Sequence, residues 1–189
     1  MSARLFVISG PSGVGKGTLI ARVLQRVPRL ALATSATTRP RRPGEVDGRE
    51  YRFLSEPEFR RRVEDGEFLE HVTFAGHRYG TLRSEVERRL AEGSSVVLEI
   101  DVPGAREISR QVPDAVLVFI APPDLAHLEN RLVARGANTE SEIADRLAIA
   151  RDEMKAVEEF CHVIVNDDLE RASQELTELV GEALTEERA

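Results

Sequence analysis

The sequence predicts an α/β fold in which helices flank both faces of a parallel core sheet. One reason is a set of short apolar runs rich in Val, Ile and Leu, which are typical of strands buried on both faces: residues 5–9, 95–101, 115–121 and 162–166. The other is a set of stretches with helical spacing between or after these runs: residues 18–27, 84–91, 105–111, 126–135 and 169–184. This alternation predicts a doubly wound, three-layer fold that binds ligands at the carboxyl ends of its strands.

A glycine-rich loop joins the first predicted strand to the first predicted helix. Its residues are Gly10, Pro11, Ser12, Gly13, Val14, Gly15, Lys16, Gly17 and Thr18. The backbone N–H groups of such a loop form a concave nest for phosphates, and its lysine reaches the outer phosphates of a nucleotide. With 13 Gly and two Lys in the chain, composition alone gives the G-x-x-x-x-G-K spacing about 0.01 times. The loop therefore predicts a P-loop fold and a nucleotide phosphate site.

Gly17 occupies the position where most such loops carry a Ser or Thr that ligates Mg²⁺. Residue 17 therefore cannot ligate a metal through its side chain. A dinucleotide site is a weaker interpretation, because the loop lacks the third glycine at the required spacing and the next strand does not end on an acidic residue.

Two segments interrupt the alternation of strands and helices. Residues 34–82 contain their own strand candidates at 51–54 and 68–74 and a helix candidate at 58–63, which predicts a small inserted domain. Residues 136–155 are highly charged, helical and weakly apolar, and with the preceding helix they predict a lid over the nucleotide at 125–155. The predicted core then consists of residues 1–33, 83–124 and 156–189.

Asp101 ends a predicted core strand, which is the usual place for a carboxylate near Mg²⁺. Residues 101–104 also match the D-x-x-G pattern of a GTPase switch. That four-residue match is common by chance, and no Asn-Lys-x-Asp motif follows it, so the pattern does not indicate a GTPase.

Composition excludes several other classes. The net charge of −7 argues against a broad nucleic-acid surface, and no apolar stretch approaches the roughly 18 residues that span a membrane. Cys161 is the single cysteine, so no internal disulfide forms, which fits a cytoplasmic enzyme. The four histidines show no metal-ligand spacing.

Further motifs identify a family resemblance. The run TTRPRRPGEVDGREYRFL occupies residues 37–54, and other motifs follow it in order: Glu70, Tyr79-Gly80-Thr81, Ile100-Asp101, residues 120–123 and residues 165–168. Together with the phosphate loop, they resemble guanylate kinase over nearly the whole chain. The resemblance implies transfer of a phosphoryl group from ATP to GMP, and also to dGMP.

The resemblance assigns the inserted domain to GMP. The GMP-binding residues that the resemblance implies in this domain are Ser35, Arg39, Arg42, Tyr51, Glu70, Tyr79 and Thr81, with Asp101 close by. Arginines can form bidentate bonds to a phosphate, and the tyrosines can donate their hydroxyls to it. A carboxylate at Glu70 would accept from guanine N1–H and N2–H₂, and the hydroxyls of Ser35 and Thr81 would face O6.

On the ATP side, the resemblance adds Asn166, at the adenine ring, to the phosphate loop. Arg135 and Arg146 match lid arginines that reach the ATP phosphates, and with Lys16, Arg39 and Arg42 they form the predicted catalytic set. Mg²⁺ is expected to be held by nucleotide oxygens and water, with Asp101 at most in its outer shell. Two alternative functions remain open: a kinase for another monophosphate and a protein-binding module of the same fold. The oligomeric state also remains open, as either a monomer or a small homo-oligomer.

Overall fold

A computed structural model describes residues 3–74, 76–134 and 140–185 of the chain. The elements in chain order are β1 (Leu5–Ser9), α1 (Lys16–Arg26), β2 (Leu30–Leu32), β3 (Ala36–Thr37), β4 (Arg52–Phe53), α2 (Glu56–Glu64), β5 (Phe68–Phe74), β6 (His77–Leu82), α3 (Arg83–Ala91), β7 (Ser95–Glu99), α4 (Val102–Gln111), β8 (Val116–Ala121), α5 (Leu125–Ala134), α6 (Glu140–Met154), β9 (His162–Val165) and α7 (Leu169–Thr185), with a 3₁₀ turn at Val157–Glu159.

The core is a parallel five-stranded sheet in the order β2-β7-β1-β8-β9. Every residue of the central strand β1 is buried. Because successive side chains of a strand point to opposite faces, Phe6 and Ile8 pack in the core layer that contains α1 and α7, whereas Leu5 and Val7 pack in the layer that contains α4. This arrangement confirms the predicted three-layer α/β fold with a parallel core sheet.

The segment between β2 and α3 builds a second, four-stranded sheet in the order β4-β3-β6-β5. It has a small apolar cluster of its own, in which the rings of Phe59 and Phe68 stack with their centroids 4.4 Å apart. Its helix α2 begins at a regular N-cap, where the Ser55 hydroxyl accepts from the Glu58 backbone N–H. Phe59 is thereby fixed on the face that meets the sheet.

Sequence patterns located most of the strands but missed β2, β3 and β6. β1 has the bounds of its apolar run, β5 has the bounds of the strand candidate at 68–74, and β4 lies within the candidate at 51–54. By contrast, β2 and β3 contain three and two residues, and β6 begins with His77, Arg78 and Tyr79. β6 is held as a strand by its antiparallel pairing with β5, which is a tertiary contact that periodicity does not register.

Among the described helices, none has the length and apolar character needed to cross a membrane.

Candidate functional site

A cleft of about 910 Å³ opens between the phosphate loop, the second sheet and helix α6. The carboxyl ends of β1 and β7 form its floor, as expected for a ligand site in a doubly wound sheet. Its walls come from segments far apart in the chain, so one cavity joins the loop to the inserted sheet.

The phosphate loop adopts a backbone that only glycine accommodates readily. Gly10, Gly13 and Gly15 have φ values of 134°, 90° and 104°, all in the left-handed region. A Cβ at Gly10 would also lie 2.2 Å from the carbonyl oxygen of Ile120. Gly15 caps α1 without a side chain, so the first N–H groups of the helix remain available to an anion.

Lys16 folds back over this loop. Its Nζ donates to the carbonyl oxygens of Gly10 at 2.5 Å and Pro11 at 3.1 Å. The ammonium group is therefore held above the nest that the loop forms, where it can meet the outer phosphates of a nucleotide.

Two side chains support the loop from behind. Asn166 is 3% exposed, and its Nδ2 donates to the Val14 carbonyl at 2.7 Å. Arg131 donates to the same carbonyl and to that of Asn166, both at 2.8 Å. A Cβ at Gly15 would lie 2.6 Å from Asn166 Nδ2, so the glycine lets the asparagine approach the loop.

Two carboxylates that the sequence analysis did not select face the phosphate loop. The carboxylate oxygens of Glu99 lie 3.4 and 3.5 Å from the position that a Cβ at Gly17 would occupy. Partial burial raises the pKa of Glu99, and the charge of Lys16 opposes that shift. Glu153, near the end of α6, lines the same cleft. Burial raises the pKa of Glu153 to about 7, against the opposing charge of Lys16.

Glu70 lies on β5 at the opposite end of the cleft and is 2% exposed. The Thr81 hydroxyl donates to its Oε1 at 2.7 Å. Burial raises the pKa of Glu70 to about 7, the bond from Thr81 lowers it, and the negative charges of Asp101 and Glu107 raise it further. A desolvated carboxylate in this position can accept strongly from a ligand that presents two donors.

Arg39 lies beside Tyr51 and is paired inside the insertion. Its guanidinium forms a bidentate ion pair with Glu45, with N–O distances of 2.7 and 3.1 Å, and its Cζ is 5.4 Å from the centroid of the Tyr51 ring. The hydrogen bond to Glu45 raises the pKa of Arg39. The backbone N–H of Arg42 donates to the same Glu45 carboxylate, and the Arg42 side chain is exposed.

The structure brings most of the selected residues to the cleft. Its lining includes Gly10, Ser12, Gly13, Gly15, Lys16, Gly17, Thr18, Ser35, Tyr51, Glu70, Tyr79, Asp101 and Arg146. Others lie behind or beside the lining: Pro11, Val14, Arg39, Arg42, Thr81 and Asn166. Arg135 falls outside the described residues.

Asp101 is engaged in the fold itself. Its Oδ1 accepts from the Gly104 backbone N–H at 2.8 Å and caps α4. Glu99 is therefore the strand-end carboxylate that lies next to the phosphate loop, while Asp101 lies toward Glu70. A charged residue within the apolar run 95–101 was the available signal for Glu99, whereas Glu153 and Arg131 gave no comparable signal.

The donor set near the loop fits a hard divalent cation held together with a nucleotide. Carboxylates and water suit Mg²⁺, which usually takes only one or two protein ligands beside phosphate oxygens. Within the described ranges, no group of three or more His, Cys, Asp or Glu side chains could hold a metal ion on its own. Glu99, next to Gly17, is the carboxylate that could ligate such a cation together with phosphate oxygens and water.

Comparison with known proteins places this fold and cleft in a family. A sequence model of guanylate kinase matches residues 2–183. A guanylate kinase of Synechocystis sp. is 47% identical over 182 residues, which cover 96% of this chain and 95% of that protein. One of Nostoc sp. is 49% identical over 174 residues, which cover 92% of this chain and 87% of that protein.

Solved structures agree. The crystal structure of guanylate kinase from Anaplasma phagocytophilum superposes with a TM-score of 0.78 at 28% identity, covering 98% of this chain and 87% of that one. A shikimate kinase from Bacteroides thetaiotaomicron gives a TM-score of 0.52 at 18% identity, over 94% and 98% of the two chains, and shares the fold alone.

Proposed function

The chain belongs to the guanylate kinase family and catalyses ATP-dependent phosphorylation of GMP, and we propose that it does so in the cleft described above. The observation that carries this assignment to the cleft is the placement of Glu70. This buried carboxylate faces the cavity that also contains the phosphate loop. A cleft with a base-binding carboxylate at one end and a triphosphate-binding loop at the other suits a phosphoryl transfer between two nucleotides.

On the donor side, the loop N–H groups and Lys16 bind the ATP phosphates. Arg146 lines the cleft from α6 and approaches the transferred group, and Arg135 is proposed to join it. Such transfers depend on alignment and charge neutralisation more than on covalent chemistry by the protein. Asn166 and Arg131 keep the loop in shape from behind.

On the acceptor side, Tyr51, Tyr79, Arg39 and Arg42 are proposed to hold the GMP phosphate. Arg39 would exchange one of its bonds to Glu45 for a phosphate oxygen, since a guanidinium has five donors. No general base is needed, because the phosphate monoester is largely ionised near neutral pH.

The base is proposed to be read by Glu70 and Ser35. Glu70 accepts from N1–H and N2–H₂ of guanine, and Ser35 faces O6. The sequence resemblance assigns the Thr81 hydroxyl to guanine O6. Because this hydroxyl donates to Glu70, its proposed role is instead to orient that carboxylate. The resemblance to guanylate kinase implies dGMP as a second acceptor, and dGMP is therefore included in this proposal.

Mg²⁺ is the proposed metal, and when bound it would neutralise charge on the ATP phosphates. Glu99, beside Gly17, would hold it together with nucleotide oxygens and water. Asp101 is assigned instead to capping α4.

Residues 34–82 and 125–155 are proposed to act as a GMP-binding domain and a lid that close on a core of residues 1–33, 83–124 and 156–189. Closure would exclude water, so that the γ-phosphoryl group of ATP is transferred to GMP rather than to water. We propose that the reaction takes place in the cytoplasm, because a chain with a single cysteine suits a reducing compartment.

A coupled ADP-release assay with GMP, AMP, CMP, UMP and dTMP tests this assignment. GMP should give the highest kcat/KM by a wide margin, and dGMP should be accepted as well. A higher kcat/KM for another monophosphate would show that the cleft reads a different base, and no turnover with any would indicate a binding module.

A further inference from the structure

Gly104 lies in the first turn of the core helix α4. At this turn the helix approaches Glu70, which belongs to the inserted sheet. A Cβ built at this glycine would lie 2.9 Å from Glu70 Oε2 and 3.1 Å from Asp101 Oδ1. Both separations are shorter than ordinary van der Waals contact. The helix can therefore approach the Glu70 carboxylate this closely only because residue 104 has no side chain.

The backbone at position 104 does not require glycine. Gly104 is not among the glycines with positive φ, and it lies within a regular helix. Alanine is also a better helix former than glycine, by up to about 1 kcal/mol in a helix interior. Local conformation therefore gives no reason for a glycine at this position, and space around the carboxylates does.

The two neighbouring carboxylates differ in how readily they could move. Asp101 Oδ1 accepts the Gly104 N–H at 2.8 Å, so moving it would break the cap of α4. Glu70 is longer and is held at Oε1 by the Thr81 hydroxyl. A methyl group at position 104 would therefore displace the Oε2 side of Glu70 and leave the helix in place.

We propose that Gly104 is a specificity-determining position of this enzyme, because it fixes where the Glu70 carboxylate stands and thus how well guanine is distinguished from other bases. The inference rests on the proposed role of Glu70. Gly104 does not read the base itself; it is a positioning residue that acts through Glu70.

The test is the ratio of kcat/KM for GMP to that for IMP in the Gly104→Ala variant. IMP has the N1–H of guanine and lacks the N2 amine, so the ratio reports on the second hydrogen bond to Glu70. The ratio should fall about 10-fold or more, with the KM for ATP unchanged. Gly181→Ala is the matched control, because Gly181 is also helical and a Cβ there would meet nothing within 4 Å.

A double-mutant cycle separates an effect through Glu70 from a general one. In a Glu70→Gln background, Gly104→Ala should change the GMP/IMP ratio little further, since the displaced side chain no longer accepts both hydrogen bonds from guanine. Equal losses for GMP and IMP, additive effects in the cycle, or failure of Gly104→Ala to fold would each overturn the inference.

The same cycle distinguishes this inference from the function on which it rests. If Glu70→Gln lowers the GMP/IMP ratio and Gly104→Ala does not, only the role of Gly104 is refuted. If Glu70→Gln leaves the ratio unchanged, the base-reading role of Glu70 is refuted, and the role of Gly104 falls with it.

Discussion

At the scale of single residues, the cleft contains two carboxyls, on Glu70 and Glu153, whose pKa values burial raises to about 7. A carboxyl whose pKa is higher in the folded than in the unfolded chain binds more protons when folded. Its contribution to stability is therefore fully present below the unfolded pKa and is lost as pH rises toward 7. Ionisation of both groups therefore destabilises the fold at neutral pH.

Replacing Lys16 with alanine should reduce turnover by on the order of 10³-fold, because the variant loses a charge aimed at the transferred phosphoryl group. The chain has one other lysine, Lys155, which is 77% exposed and pairs with Asp152. Lys155→Ala is therefore the control and should keep normal turnover. Steady-state assays with thermal unfolding of both variants check this, and near-normal turnover in a folded Lys16→Ala protein would refute the role of the lysine.

Replacing Glu70 with glutamine puts a donor opposite a donor of guanine. The variant should lose about 2–4 kcal/mol of transition-state stabilisation, which lowers kcat/KM for GMP by roughly 30- to 1000-fold. AMP presents an acceptor at N1, so the low activity on AMP should be unchanged or slightly higher. Glu87→Gln, at an exposed position on α3, is the control. Equal losses for GMP and AMP would show that Glu70 does not read the base.

GMP affinity should depend on pH through Glu70. Because the ionised carboxylate accepts the base and its pKa is about 7, the dissociation constant for GMP should rise about tenfold between pH 8 and pH 6. The phosphate of GMP also titrates near this range, so the comparison is with Glu70→Gln, which retains only that part. Calorimetric titration of both proteins measures the difference, and parallel pH profiles would contradict the assignment.

At the scale of elements, sequence predicted what local composition determines. The apolar run at 5–9 and the strand candidate at 68–74 predicted the bounds of β1 and β5, and the glycine spacing located the phosphate loop. β6 could not be predicted in this way, because its first half is polar and pairing with β5 holds it. Sequence patterns did not identify Glu153 and Arg131 for a related reason. The packing of helices that are distant in the chain brings both residues to the phosphate loop, and composition does not record such packing.

The small core of the insertion should respond separately from the main sheet. Phe59 is fully buried and stacks on Phe68, so Phe59→Ala should cost about 3–5 kcal/mol. The loss should appear as faster hydrogen exchange in residues 36–82 and weaker GMP binding, with ATP binding retained. Phe119 is equally buried in the main sheet. Phe119→Ala should instead lower the melting temperature of the core and weaken the binding of both ATP and GMP.

At the scale of the whole molecule, the second sheet is built entirely from residues that leave the core after β2 and return at α3. The insertion is thus attached at two points, near residues 34 and 82, and the proposed lid is attached near 124 and 155. Such connections allow each unit to turn as a body around its ends.

A fluorescence-transfer experiment checks the closure. Cys161 is exposed and is the only cysteine, so a second dye at Glu64→Cys on α2 reports the distance from the insertion to the core. A bisubstrate analogue that joins adenosine and guanosine through five phosphates should shorten that distance. A dye at Glu87→Cys on α3, within the core, should show no change. An unchanged distance for the Glu64 label would refute closure of the insertion.

The continuity of the insertion also bears on how such enzymes diversify. One uninterrupted stretch of gene encodes the second sheet, so replacing that stretch, with one crossover at each end, would change the acceptor site and leave the phosphate loop intact. The close approach of α4 to Glu70 at Gly104 limits this freedom, since the proposed base-reading residue packs against a helix that the exchanged stretch does not encode. An incoming segment would inherit the recipient's residue at 104, and descendants that keep guanine selectivity must preserve both partners across the junction.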